Sequence, residues 1–140
     1  MRYLTLEKAM EAWRQMQPLS EDDKAKLSRR STIDFNYNSN HIEGNTLTYG
    51  QTEILLLFGK VIGEAKVKDV QDMTASNVAL RMMTEEALVK TTPLTQNFIR
   101  TLHQTLLRED YTVYRNLPGG VQTSYTIHAG QYKTRPNSVI

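Results

Sequence analysis

The spacing that most limits how this chain can fold is Val67, Val70, Met73, Asn77, Leu80, Thr84 and Ala87, which keeps intervals of three and four residues. Apolar and small positions recurring this way share one side of a helix and cannot share one side of a strand, so a long helix is predicted there. Its Met73, Met82 and Met83 read as core filler, a role that the flexible thioether suits. The surrounding punctuation is also helical. Thr5 reads as the N-cap of a helix on which Leu6, Ala9, Met10, Trp13 and Met16 can share a face up to about Gln17, and Pro18 ends that run. Ser20 is placed to cap a second helix whose first turn, Glu21-Asp22-Asp23, complements the helix dipole. Thr48 with Gln51 resembles a capping box, opening a short apolar helix over Glu53 to Phe58 that Gly59 stops, with a buried strand as the alternative. Thr92-Pro93 breaks the chain, and Thr95 caps a helix carrying Phe98, Ile99, Leu102, Leu106 and Leu107 inward. The expected fold is all-α. From Glu109 onward Tyr111, Tyr114, Tyr125 and Tyr132, the Pro118-Gly119-Gly120 turn and the alternating Thr126-Ile127-His128 predict irregular or extended chain.

The second helix carries an inner stripe of Leu27, Ser31, Phe35, Asn38 and Ile42, with Ile33 and Tyr37 beside it, which weakens across Asn36 to His41, six residues of mediocre helix propensity. Beside it Asn36, Ser39, Asn40 and Glu43 fall at i, i+3, i+4 and i+7 and form a polar stripe without Lys or Arg. Short hydrogen-bonding side chains suit contact with another polar surface, although a fraying helix end would use the same residues. Gly44 is placed as the left-handed residue that stops the helix. Glu43, in the last turn, then faces the negative end of the helix dipole, an arrangement that costs about 0.3–1 kcal/mol at an exposed site and invites a cationic partner. Ser39, one turn earlier, can hold that carboxylate in one rotamer.

At 140 residues, with 39% hydrophobic and 23% charged residues, the chain has room for one domain with a core. The longest apolar run, Ile54 to Phe58, is too short to span a bilayer, and no apolar leader follows Met1, so a cytoplasmic protein with no membrane partner is expected. A net charge of +2 argues against nucleic acid as a partner. With no cysteine, disulfides and thiol catalysis are excluded. His41, His103 and His128 have no metal-ligand spacing, and His103 beside Ile99 and Leu102 reads as a core-edge histidine. No Gly-rich phosphate loop or nucleophile elbow occurs, so neither a catalytic residue nor a metal site is expected within the chain.

The segment Ser39-x-x-x-Glu43-Gly44 resembles the Ser/Thr-x-x-x-Glu-Gly/Asn inhibitory motif of Fic-domain proteins, which transfer AMP from ATP to protein hydroxyls. The likeness continues through Ile42-Glu43-Gly44-Asn45-x-Leu47-Thr48, Leu102-His103 and Gly130-x-Tyr132-Lys133-Thr134 toward Val139-Ile140. It implies two N-terminal helices over 1–30 and the first part of a Fic domain over 31–140. Within that part an inhibitory helix would cover about 31–44, core helices about 49–108 and a segment leading into the β-hairpin flap about 109–140. Glu43 would be the inhibitory residue, supported by Ser39 and Gly44, pairing with a catalytic Arg where the ATP γ-phosphate must sit. Tyr132, Val139 and Ile140 would belong to the flap that aligns a protein substrate by strand addition.

The family's catalytic sequence, His-Pro-Phe-x-Asp/Glu-Gly-Asn-Gly-Arg, does not occur. His41-Ile42-Glu43-Gly44-Asn45 lacks its Phe and its closing Gly-Arg. The apolar end after Pro136-Asn137 is expected to open a hairpin strand that continues beyond Ile140, placing the catalytic loop outside the chain. ATP and Mg²⁺ would then serve the complete enzyme, with neither bound tightly here. This chain by itself would be inactive, and uncovered apolar surface would favour self-association. A stand-alone antitoxin-like regulator that inhibits a separate Fic enzyme in trans is the alternative, and a helical interaction or DNA-binding domain, which the balanced charge disfavours, a third.

Overall fold

The computed structural model describes residues 2–136, and among them five helices precede a two-stranded antiparallel sheet. Helix α1 (Arg2–Gln15) begins ahead of Thr5, so that threonine lies inside the helix and does not cap it. Nothing in Tyr3-Leu4 opposes helical dihedrals, and the helix runs past the available cap. Its expected apolar face is solvent-facing at Leu6, Met10, Trp13 and Met16. Helix α2 (Glu21–Ile42) starts where the sequence places it. The Asp23 amide donates to Ser20 Oγ at 3.1 Å and Ser20 Oγ donates to Asp23 Oδ2 at 2.8 Å, so a side chain satisfies an end-of-helix donor.

The chain divides within α2 into two units, residues 1–34 and 35–140. In the second unit the inward side of α2 is not the one expected from hydropathy. Phe35, Asn38 and Ile42 are exposed, Ile42 to 80%, while Asn36 is 0% exposed. The inner stripe is therefore corrected by about a third of a turn. Asn36 Nδ2 donates to Asn77 Oδ1 of α4 at 3.1 Å, and Asn40 Nδ2 donates to the Asn36 carbonyl at 2.8 Å. The amide pair compensates desolvation that an unpaired amide could not bear, so tertiary contact holds a run of weak helix formers in place.

Helix α3 (Tyr49–Phe58) has a complete capping box: Thr48 Oγ1 accepts from the Gln51 amide, and Gln51 Oε1 accepts from the Thr48 amide. Gly59 closes it with φ of 65°, its amide bonded to the Leu55 carbonyl. This settles the apolar run as helix, but Leu57 and Phe58 are exposed and only Thr52 is fully buried. Helix α4 (Val67–Leu88) matches the long periodic run. Met73 is 1% exposed, whereas Val67 and Met83 face solvent. Ala75 and Ala79 are buried as well, so α4 is covered along more than a single stripe. Small side chains there let neighbouring helices approach; α4 packs with both α3 and α5.

Helix α5 (Gln96–Leu107) begins at Thr95, whose Oγ1 accepts from the Phe98 amide. Its carboxyl end is tied to α4 by Arg108 Nη2 on Asp72 Oδ1 at 2.7 Å, and Lys68 reaches the other oxygen. Burial acts to raise the Asp72 carboxyl, yet the hydrogen bonds from Lys68 and Arg108 carry it below its ordinary range. The extended chain expected after Glu109 is a hairpin. Strands β1 (Tyr111–Asn116) and β2 (Gln122–Ile127) pair with Tyr111 opposite Ile127 and Val113 opposite Tyr125. The Pro118-Gly119-Gly120 turn joins them, with the Leu117 amide bonded to the Val121 carbonyl at 2.7 Å.

Two glycines of the α3 region separate conformational need from available space. Gly59 has a positive φ and Gly50 does not, while an added Cβ would meet nothing within 4 Å at either. Gly59→Ala is expected to lower the unfolding free energy by about 1 kcal/mol, and Gly50→Ala to raise it by about 0.5 kcal/mol. Urea titration of the two variants tests the opposite signs.

Candidate functional site

The carboxyl end of α2 closes with a paired hydrogen-bond pattern. The Asn45 amide donates to the Asn40 carbonyl at 3.0 Å and the Gly44 amide to the His41 carbonyl at 3.0 Å, with Gly44 at φ of 92°. These are the two bonds of a Schellman end, in which Gly44 occupies the left-handed position. Glu43 consequently sits just beyond the last helical residue, one position outside the turn predicted for it.

Asn45, Thr46 and Leu47 then lock this end onto the start of α4. Asn45 Nδ2 donates to the Asp69 carbonyl at 2.9 Å, and its Oδ1 accepts from the Leu47 amide at 3.0 Å. The Thr46 amide donates to Asp69 Oδ2 at 3.0 Å, and the Thr46 hydroxyl donates to the same oxygen. Asp69 is only 6% exposed. The Thr46 hydroxyl does most to hold its carboxyl below the ordinary range, burial opposing, with the Thr46 amide and the charges of Lys66 and Lys68 adding to the lowering. A ring cluster braces the same corner: Tyr37 stacks on His41 at 5.4 Å and meets Tyr49 edge-on at 5.3 Å.

On this mount the predicted inhibitory residues take distinct positions. Gly44 is structural and exposed, Ser39 is half-buried, and Glu43 points to solvent. Among the described residues no hydrogen bond joins Ser39 to Glu43, and no cation pairs with the Glu43 carboxylate. The structure thus places a fixed backbone beneath an exposed acid. Of the flap residues, Tyr132 is 55% exposed; Val139 and Ile140 lie outside the described residues.

A second polar assembly lies where the chain returns to α5 after β2. The Gly130 amide donates to His103 Nδ1 at 2.9 Å, and Arg100 Nε donates to the Gly130 carbonyl at 2.9 Å. Just before Gly130 in the chain, the Ala129 amide donates to Asp110 Oδ1 at 2.7 Å, and His128 Nδ1 lies 2.6 Å from Asp110 Oδ2. The His128 hydrogen bond, and then the Ala129 amide, hold the Asp110 carboxyl below its ordinary range. His103 therefore does sit at a core edge, with one ring nitrogen committed to backbone. Thr46 and Asp69 were not singled out from the sequence, and Asn45 was named there only as part of the Ile42-Glu43-Gly44-Asn45 motif. Asp69, in the first turn of a helix, reads there as an ordinary dipole complement.

The fold and its two polar assemblies define a mainly helical domain that displays a carboxylate at a rigid helix end and anchors an extended segment on a Leu-His helix. Among solved structures it is similar to a Fic domain-containing signaling protein from Bacteroides thetaiotaomicron VPI-5482, with 43% identity and a TM-score of 0.76. The likeness covers 96% of this chain and 45% of that one, so the chain spans less than half of its relative's length. The chain belongs to the Fic-domain family. Neither a scan of protein families nor a search of curated proteins returns a match. No helix among the described residues is long and apolar enough to cross a membrane.

The Asp69 lock carries a pH signature. Because its folded carboxyl titrates below the unfolded value near 3.9, its stabilisation is present above about pH 4 and is lost as pH falls through the folded pKa. Asp69→Asn is expected to cost about 1–3 kcal/mol at neutral pH, the price of weakening bonds to a buried acceptor. The gap from wild type should close below about pH 4 in urea unfolding monitored by circular dichroism.

Proposed function

We propose that this chain is the inhibitor-bearing portion of a Fic-type protein adenylyltransferase, with Glu43 as the autoinhibitory residue. The observation that carries the reading is the mounting of Glu43. Its backbone is fixed by the Gly44 and Asn45 bonds and by the lock to α4, while its carboxylate is exposed and, among the described residues, uncommitted. A carboxylate held this way can receive a guanidinium in two parallel hydrogen bonds and repel a phosphate from the same place. Ser39, on the same helix side one turn earlier, would restrict the side chain once such a partner arrives.

The reaction assigned to the complete enzyme is transfer of AMP from ATP to a hydroxyl of a target protein. The His-Pro-Phe-x-Asp/Glu-Gly-Asn-Gly-Arg sequence that would hold ATP and Mg²⁺ is not in this chain. Among the described residues no three His, Asp or Glu side chains converge to hold a metal. In this reading ATP and Mg²⁺ belong to the complete enzyme, and the part taken by this chain is control and target alignment.

The test uses the polypeptide made from the whole encoding reading frame, incubated with ATP labelled in its α-phosphate. Loss of charge-assisted bonds worth about 1.5–3 kcal/mol predicts that Glu43→Gly labels protein roughly ten- to a hundredfold faster than wild type. Equal rates would remove the inhibitory role from Glu43, and absence of labelling in both would remove the transferase reading.

A further inference from the structure

The turn after β2 is held by its backbone. Gly130 is buried, and each of its peptide groups meets a side chain of α5: the amide gives its hydrogen to His103 Nδ1, and the carbonyl receives one from Arg100 Nε. The acceptor His103 and the donor Arg100 are three positions apart on α5 and so lie on one side of the helix. The approach is close. A Cβ on Gly130 would stand 3.1 Å from Gln104 Cβ and 3.3 Å from the Arg100 carbonyl oxygen, and its φ of 73° is one that side chains rarely adopt. Glycine is needed here both for its dihedral and for contact with the helix surface. Residues 108–110 and 128–130 are drawn together by Asp110, which binds the Ala129 amide and His128, so the clamp closes the base of the whole hairpin.

We propose that His103 and Arg100 are positioning residues: they clamp Gly130 and thereby fix the direction in which the target-aligning segment beginning at Tyr132 leaves α5. The use made of that direction rests on the flap reading above; the clamp does not. A bond to backbone atoms fixes a path without constraining the side chains of the residues that follow, which suits a segment whose own side chains meet a target. His103 serves as acceptor only through an unprotonated Nδ1, so in this arrangement the ring hydrogen is on Nε2. The sulfur and hydroxyl contact between Met82 and Thr105 packs α5 against α4 independently of the clamp.

Hydrogen exchange on the full 140-residue chain separates the clamp from packing. His103→Leu keeps much of the side-chain bulk but has no acceptor, whereas His103→Asn offers Oδ1 where Nδ1 was. Expected is at least a tenfold faster exchange of the Gly130 amide in His103→Leu, near-wild-type exchange in His103→Asn, and an unchanged Asp110-bound Ala129 amide. Arg100→Met, which keeps the stem and loses the Nε donor, should speed exchange at Gly130 in the same way and gives the answer if His103→Leu fails to fold. Tryptic cutting after Lys133 should accelerate with the loss of protection, while cutting after Arg115 in β1 stays constant. Equal protection in all variants, or an Asn variant as unprotected as the Leu variant, would overturn the clamp. Because none of these readouts involves AMP transfer, an inactive full-length enzyme would sink the transferase reading and leave this result standing.

Discussion

One carboxylate oxygen holds the arrangement of the second unit. Asp69 Oδ2 accepts from both the amide and the hydroxyl of Thr46, while the Asp69 carbonyl receives the Asn45 side chain. Two helix ends are joined by this contact, the finish of α2 and the start of α4. It places Asn45 just behind the Schellman bonds and so sets the position of Glu43. It also turns α2 so that Asn36 meets Asn77. Without it the polar interior would have to be satisfied some other way, because the buried apolar set in this unit is small: Leu47, Met73, Ala75 and Ala79.

That interior is half polar. Asn36, Asn45, Thr52 and Asp69 are all buried beside the apolar residues. Apolar side chains tolerate sliding, but hydrogen-bonded groups in a low-dielectric setting do not, since every displacement leaves a desolvated donor or acceptor. The interior therefore selects one register of α2 against α4 at the expense of apolar burial. For a displayed acid such as Glu43, whose proposed role depends on where it stands, definition of register matters more than depth of core.

How much of this could be read from the sequence follows from the range of each interaction. The ends of α3, the start of α5, the Gly44 stop and the long α4 run were legible, because caps and glycine dihedrals act over three or four residues. The inward side of α2 was not. Hydropathy points Phe35 and Ile42 inward, and only Asn77, far along the chain, reverses that choice. The hairpin was legible as extended chain through its alternating Tyr and Thr positions, but its pairing was not. Gly130 carried a weak signal in the His128-Ala129-Gly130 sequence closing a strand; its partners on α5 could be found only in three dimensions. The polar stripe at Ser39 and Glu43 was visible as a pattern, and the structure divides it into a buried beginning and an exposed tip.

The bonds that shape the second unit share one further property. Asn45 to Asp69 spans 24 residues, Gly130 to His103 spans 27, Gly130 to Arg100 spans 30 and Asn36 to Asn77 spans 41. Each closes on chain synthesised shortly before it. Loops of this size cost only modestly more entropy to close than shorter ones. A nascent chain emerging from the ribosome can therefore complete the seat of Glu43 once α4 is out, before the hairpin is made.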